Sequence, residues 1–574
     1  MSSIGSGRAY QTGSVHQLSN QYVDDYARLD PITATLAGVV GYDDQLTDYS
    51  PEGHQARADL RSAAVRAIGA AEPADESERV AKGVFLERSG TEADLDAAGQ
   101  LAAQLNVIDS PPQNIRTAFD LMSTGSAEDW AVIARRLTAV PEAIRKLRTG
   151  LRDSADHGHV AALRQVSKVA EQCDIWSGRP GDESFFATLV SQAGSVAGTQ
   201  KGIDDALLAD LRSGADAAAA AYGELAGFLR TDLAPRAPEK DAVGEEIYRL
   251  WSRHFTGADL DLTEAYQWAW DEFSRIETEM KQVAGRVRPG GTIAEAAAAL
   301  DADPRYLLHG TEALREWMQR LSDQALADLR DVHFSIPEPL MALECRIAPP
   351  GGGVGAYYTS PNDDFSRPGQ MWWSVPADRT EFSTWRETTT VYHEGVPGHH
   401  MQIGTAVYKS DTLNRYQRLL CFISGHGEGW ALYAERLMRE LGYLSDDGNL
   451  MGMLDGHLFR AARVLVDIGM HLELEIPAGT GFHEGERWTP RLGLEFMLSR
   501  TITDPAHVRD EIDRYLGWPG QAPAYKLGER LWLAVRDEAK QRRGAAFDLK
   551  TFHRQVLELG PMGLDMLRSE ITRL

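Results

Sequence analysis

The stretch VYHEGVPGHHMQ, residues 391–402, gathers residue types that bind and activate a metal. His393 and Glu394 open it as in H-E-x-x-H. In that pattern two histidines one helical turn apart share a face and reach a single zinc ion. The glutamate then takes the proton of a water polarised by the metal. Here Pro397 holds the second histidine's place, and His399 and His400 come late. On an unbroken helix neither serves: six residues rotate His399 about 240° past a full turn, and seven carry His400 roughly 10.5 Å along the axis. The turn between them is not built for a regular helix. Pro397 lacks the N–H that would bond back to His393, and Gly395 and Gly398 admit conformations other residues avoid. Looping out two residues at Gly395–Gly398 puts His399 where the second ligand belongs. The competing reading is a fresh helix after Pro-Gly with both histidines in solvent.

Three later stretches carry further candidates. In CFISGHGEGWALYAERL (421–437), Glu428 stands at the start of a predicted helix, either as a third metal ligand or as an acid favoured by the helix dipole. Glu435, seven residues on, shares roughly the same face. It, or His426 nearby, suits the task of orienting a ligand histidine. In DGHLFRAARVLVDIGMHLELE (455–475), Arg463, Asp467 and His471 are spaced by four and share a helical face, with Arg460 on the preceding turn. Such a stripe is a solvated surface or the lining of a cleft. In a cleft, Arg460 or Arg463 binds a substrate carboxylate, His471 steadies an oxyanion, and Asp467 supports a ligand. In RYLGWPGQAPAYKLGERLW (514–532), Tyr515 and Tyr525 flank Pro519-Gly520, and a helix begins near Gln521. Their hydroxyls either polarise a carbonyl or make structural hydrogen bonds.

These residues need elements to hold them. The first half reads as helices: apolar residues recur at three- and four-residue spacing, Ala, Leu, Arg and Glu dominate, and prolines fall mostly between segments. TIAEAAAALDAD is a further helix, with Thr292 and Glu295 placed for a capping box. Residues 340–376 change texture: Gly and Pro are dense around the β-prone pieces GAYYTS and QMWWSV. The expected fold class is therefore mainly α, a large helical body with a small antiparallel β-sheet beside the helix of His393. That helix is expected to start near Glu381. QMWWSV would offer a strand edge to an extended peptide, with Trp373 and Gln521 as substrate contacts. Residues 1–15 read as a disordered N-terminus. Residues 16–574 read as one large domain with a central cleft, its N-terminal helical part ending near 335 and its catalytic part spanning 336–574.

A formal charge of -25 disfavours nucleic acid or an anionic membrane as partner. The three cysteines, Cys173, Cys345 and Cys421, are far apart, so neither a disulfide framework nor a Cys-rich zinc site is expected. The polar N-terminus lacks the apolar core of a secretory signal, and a reducing, cytoplasmic setting is expected.

HEGVPGHHMQ, GEGWALYAERL, RAARVLVDIGMH and RYLGWPGQAPAYKLG occur in that order, and together they resemble a bacterial family known as domain of unknown function 885, from about residue 15 to the end. That family is grouped with zinc metallopeptidases. Its pattern H-E-x-x-P-G-H falls on His393, Glu394, Pro397, Gly398 and His399, so the resemblance makes His399 the ligand and His400 not. A glutamate on a later helix is the third ligand in gluzincin peptidases, and Glu428 fits that layout. The resemblance implies a gluzincin-like helical fold and one Zn²⁺ per chain on His393, His399 and Glu428. Glu394 is then the general base, and Tyr525, Tyr515 or His471 steadies the oxyanion. The expected substrate is a short peptide or another small acyl amide, cut in the manner of a carboxypeptidase or dipeptidase. The alternatives are an amidase or esterase on a non-peptide substrate, and a peptide-binding protein without catalysis.

Overall fold

The structure, a computed structural model, describes residues 12–573 except 180, 195–202, 349–354 and 377. Most of the expected disordered N-terminus, residues 1–11, lies outside the described residues. Of the rest, Ser14 is ordered: it caps the helix Val15–Leu29 in a capping box with Gln17.

The chain forms two compact units, one of residues 1–78, 89–243 and 513–518, the other of residues 79–88, 244–512 and 519–574. The main division falls between Val243 and Gly244, well before the boundary expected near 335. The reason lies in the packing: the helices that follow Gly244 bury their apolar faces against the later helices. Leu262–Val287, for example, lies along Asp447–Leu472.

The first unit is helical. Its core joins Trp130, Ile133, Leu137 and Ile144 of the helix Ala127–Asp156 to Leu211, Ala218, Tyr222 and Leu225 of the helix Asp205–Phe228. The alanine run contributes by being small, because Ala218 and Ala221 are buried where the neighbouring helix packs.

The second unit holds the remaining helices and all five strands among the described residues. Thr292 and Glu295 form the capping box: Glu295 N–H donates to Thr292 Oγ1 at 3.2 Å, and Thr292 N–H donates to Glu295 Oε2 at 2.8 Å. Such a cap contributes about 1 kcal/mol. The strands are β1 (Leu307–His309), β2 (Leu343–Ile347), β3 (Gly355–Thr359), β4 (Gly369–Ser374) and β5 (Glu381–Ser383). The β1–β5 and β3–β4 pairs are antiparallel, but β2 joins β4 in parallel, so the three-stranded sheet is mixed. Its order is β2-β4-β3.

This order overturns the expected peptide-binding edge at QMWWSV. That segment lies in the central strand, and both of its sides are already hydrogen-bonded, to Leu343–Ile347 and to Gly355–Thr359. Trp373 is buried in it. Glu381–Ser383 is also not the start of the next helix. It pairs with Leu307–His309, and the helix begins at Thr384. Local helix propensity loses there to a distant partner strand.

Candidate metal centre

Three helices of the second unit carry the centre: Thr384–Glu394, His399–Tyr408 and Ser424–Glu440. The first stops at Glu394 and the second starts at His399, so the four residues 395–398 are looped out of the helical path. Gly395 N–H still donates to Val391 O, and Gly398 N–H reaches back to Tyr392 O at 3.0 Å. Gly398 is confined to glycine by space. A Cβ there would lie 1.8 Å from the carbonyl oxygen of His393. The indole N–H of Trp430 secures the loop by donating to Pro397 O at 2.9 Å.

The loop turns His399 toward His393, with the two rings perpendicular and 5.0 Å apart. Glu428 faces both: its Oε2 is 3.2 Å from His393 Nε2 and 3.6 Å from His399 Nε2. Potential ligand atoms of His393, His399 and Glu428 all lie within 4.8 Å of one another. His400 points elsewhere. It is fully buried, its Nε2–H donates to Leu340 O at 2.8 Å, and its Nδ1 accepts from the Tyr358 hydroxyl on β3 at 3.0 Å. Both ring nitrogens are used, so His400 is a structural link to the sheet.

Glu428 sits where it does because its helix packs backbone to backbone on the helix Gln521–Arg543. A Cβ on Gly429 would lie 2.5 Å from the backbone of Gly528. This close crossing draws a second group of buried polar side chains behind the centre. Glu435 Oε1 accepts from His393 Nδ1 at 2.8 Å, and its other oxygen accepts from the Thr389 hydroxyl. His457 Nε2 stands 3.4 Å from Glu435 Oε2, and Lys526 Nζ donates to His457 Nδ1 at 3.0 Å. Lys526 also pairs with Glu529, and with Glu272 at 3.1 Å.

Charges in the centre set its ionisation. Burial opposes protonation of His393, but Glu428 and Glu435 hold its imidazole up to about 9. Burial also opposes charge on Glu428 and Glu435, yet the histidines hold both carboxyls well below the usual range. A divalent cation bound among such ligands would take the place of that proton. Glu394 is different: burial lifts its carboxyl above the usual range, against the pull of His399 and His393. That moves it toward the pKa of a general base working near neutral pH.

The other candidates divide. Arg460 and Arg463 flank the Tyr525 ring at 6.0 and 5.0 Å, and Arg460 acts electrostatically on Glu394. Arg463 already donates to Glu511 at 2.6 Å. Gln521 is buried in the first turn of the Tyr525 helix. Asp467 does not support His393. Ten residues, about 15 Å of helix, separate it from His457, and its carboxylate accepts from the Tyr248 hydroxyl and the Gly520 amide. His471 is fully buried with its ring 5.6 Å from that of Tyr248. His426 does not orient a ligand histidine either. Its Nδ1 accepts from Gln402, and its ring packs on Trp532. Tyr515 belongs to the first unit and is fully buried. Thr389, Lys526, Glu529 and Glu272 were not singled out from the sequence, and His457 only as a neighbour of Arg460 on the turn before Arg463. Thr389 lies one turn before His393 on the same helix, whereas His457, Lys526, Glu529 and Glu272 come from three other helices, so no spacing links those four to His393.

Among curated proteins none matches this chain. Two solved structures share its fold. One is described as the putative lipoprotein from Colwellia psychrerythraea, with a TM-score of 0.81 and 22% identity over 97% of this chain and 98% of that one. The other is described as a putative lipoprotein of unknown function from Shewanella oneidensis, with a TM-score of 0.73 and 18% identity over 98% and 100%. At these identities the likeness is one of fold. The family model described as bacterial protein of unknown function, DUF885, matches residues 31–571, and the chain belongs to that family.

Proposed function

We propose that this chain is a zinc-dependent hydrolase of gluzincin type, a peptidase that cuts short peptides in the manner of a carboxypeptidase or dipeptidase. The observation that carries the reading is the convergence of His393, His399 and Glu428 within 4.8 Å, with buried Glu394 next to His393 in sequence. Two imidazoles and a carboxylate are a donor set that suits zinc. The bond from His393 Nδ1 to Glu435 leaves Nε2 as the ligating nitrogen. Bound there, Zn²⁺ supplies Lewis-acid polarisation of a carbonyl and makes water more acidic.

The chain's own residues do the rest. Glu394 receives the proton of the attacking water and delivers it to the leaving amine as the C–N bond breaks. The Tyr525 hydroxyl donates to the carbonyl oxygen as it gains charge. Arg460 binds the substrate's carboxylate, because Arg463 is already engaged with Glu511.

The test is metal content and peptide hydrolysis, measured on wild type, His399→Ala and Glu394→Gln. One zinc per chain is expected in wild type and in Glu394→Gln, with none in His399→Ala. Turnover of short peptides should fall about 10²–10⁴-fold in Glu394→Gln, the usual contribution of a general base. A wild-type protein that takes up no divalent metal, or an undiminished Glu394→Gln, sinks the reading.

A further inference from the structure

The helix Thr384–Glu394 carries a second carboxylate on the side where Glu394 stands. Glu387 and Glu394 are seven residues apart, so the helical period points them within about 20° of one direction, roughly 10.5 Å apart along the axis. Thr390 lies between them on the same face. The other side of the helix is packed. The Thr388 hydroxyl donates to Asn449 at 3.1 Å, the Thr389 hydroxyl donates to Glu435, and Trp385 is fully buried. Residues 387, 390 and 394 therefore look away from the helices Ser424–Glu440 and Asp447–Leu472. Their side borders the candidate metal centre, because the groups whose charge acts on Glu394 are His399, His393, Glu428 and Arg460.

Glu387 has no partner on that side. Among the described residues, no hydrogen bond or ion pair reaches its carboxylate. The residue is partly exposed, and no oxygen of Glu387 or Glu394 is among the fully buried polar atoms left without a partner, so a solute can reach both carboxylates. Two arginines act on Glu387 from a distance, and both are committed elsewhere. Arg386 pairs with Asp455 at 3.2 Å and Asp301 at 3.3 Å. Arg379 donates to Glu381 O at 3.2 Å, with its guanidinium over the Phe382 ring. A first-turn glutamate in water is favoured by the helix dipole and keeps an ordinary carboxyl. Here burial lifts the Glu387 carboxyl above the usual range. A cation brought beside such a group stabilises its charged form. One carboxylate is too few donors for a metal ion, but one charge-assisted hydrogen bond holds an ammonium.

We propose that Glu387 accepts a primary ammonium of the substrate, about 10 Å from the bond that is cut. The inference rests on the reading of Glu394 as the base at that bond. An extended peptide rises about 3.3 Å per residue, so the distance matches the amino terminus of a chain with three residues on the acyl side. A lysine side chain nearer the cut bond presents the same group. The substrate class narrows from any short peptide to one with a positive charge on the acyl side, with Arg460 taking the carboxylate on the other.

The test is calorimetric titration of the full chain carrying Glu394→Gln, which slows turnover, with four peptides. They are trialanyl-leucine, its N-acetyl form, N-acetyl-alanyl-lysyl-alanyl-leucine and the norleucine analogue of the last. The charged member of one pair should bind at least tenfold more tightly than its neutral partner. Preference for the free terminus makes the natural group an amino terminus, and preference for lysine over norleucine makes it a side chain. Adding Glu387→Gln should bring the preference to within twofold while the neutral peptide binds as before. Equal binding within both pairs, no binding at millimolar peptide, a preference that outlives Glu387→Gln, or an equal loss for charged and neutral peptide overturns the proposal. Metal content and wild-type turnover, measured alongside, separate it from the peptidase reading. A preference in a chain that holds no metal and cuts no peptide keeps Glu387 as an ammonium acceptor and drops the peptidase, and turnover without a preference does the reverse.

Discussion

His393 is held at both ring nitrogens by acidic residues of one helix: Nδ1 is 2.8 Å from Glu435 and Nε2 is 3.2 Å from Glu428. The two carboxylates do different work. Glu428 also reaches His399, whereas Glu435 is 1% exposed and serves Thr389 and His457 from its other oxygen. Glu435 thus orients the ring without being one of the converging donors. Glu435→Gln is expected to weaken zinc binding about 10–100-fold, read by competition with a chromogenic chelator. Circular dichroism should report an unchanged helix content. An unchanged affinity would remove the orienting role.

Lys526 is completely buried between Glu529, Glu272 and His457. Lys526→Met takes the buried cation from Glu529, which keeps Arg436 at 3.5 Å, while Glu272 keeps Arg275, and urea unfolding should show a loss of about 3–5 kcal/mol. Adding Glu529→Gln should recover part of that loss, since it removes one stranded charge. A double variant no more stable than the single would contradict this account.

His399 and His400 are neighbours with opposite tasks. His400→Ala should keep its metal, because Nε2 and Nδ1 are already spent on Leu340 and Tyr358. It should still lower stability by about 1–3 kcal/mol, from the polar partners left unpaired. Elemental analysis together with thermal unfolding of the two alanine variants separates these roles. Metal loss in His400→Ala with retention in His399→Ala would reverse the assignment.

Stability should fall in acid before most carboxylates titrate. His553 is fully buried, with its Nδ1–H donated to His333 O and its Nε2 accepting from the Tyr433 hydroxyl. Burial holds its pKa down to about 3, and it does the same for His254. An unfolded histidine titrates near 6.5, so below that pH the unfolded chain binds protons that the folded chain does not. The stabilisation is complete above about pH 6.5 and is lost as pH falls toward 3, by about 1.4 kcal/mol per pH unit for each histidine. Denaturant unfolding at pH 7, 6 and 5 should show that slope, and His553→Phe should make it shallower. A flat profile would mean that these rings are not held neutral.

Some of this was open to sequence reasoning because it is local. The break at Gly395–Gly398 follows from a missing N–H and two missing side chains, all within one turn. The capping box at Thr292 follows from residues three apart. The spacing of Glu428 and Glu435 puts them on one helical face wherever that helix packs. What failed depended on distant chain. Glu381–Ser383 reads as the start of a helix until Leu307–His309 pairs with it. The QMWWSV segment reads as an edge until strands from both sides cover it.

The sequence by itself pointed to His393, His399 and Glu428 as candidate ligands, to Glu435 or His426 as their orienting partner, and to the break that lets two histidines approach, because backbone chemistry and helical period act over a few residues. Only the tertiary structure decided that His400 faces the sheet and that Asp467 serves Tyr248 and Gly520. It alone brought His457 and Lys526 behind Glu435. Those contacts are set by which helices pack, here by the backbone crossing of Gly429 on Gly528, and no spacing along one chain segment encodes them.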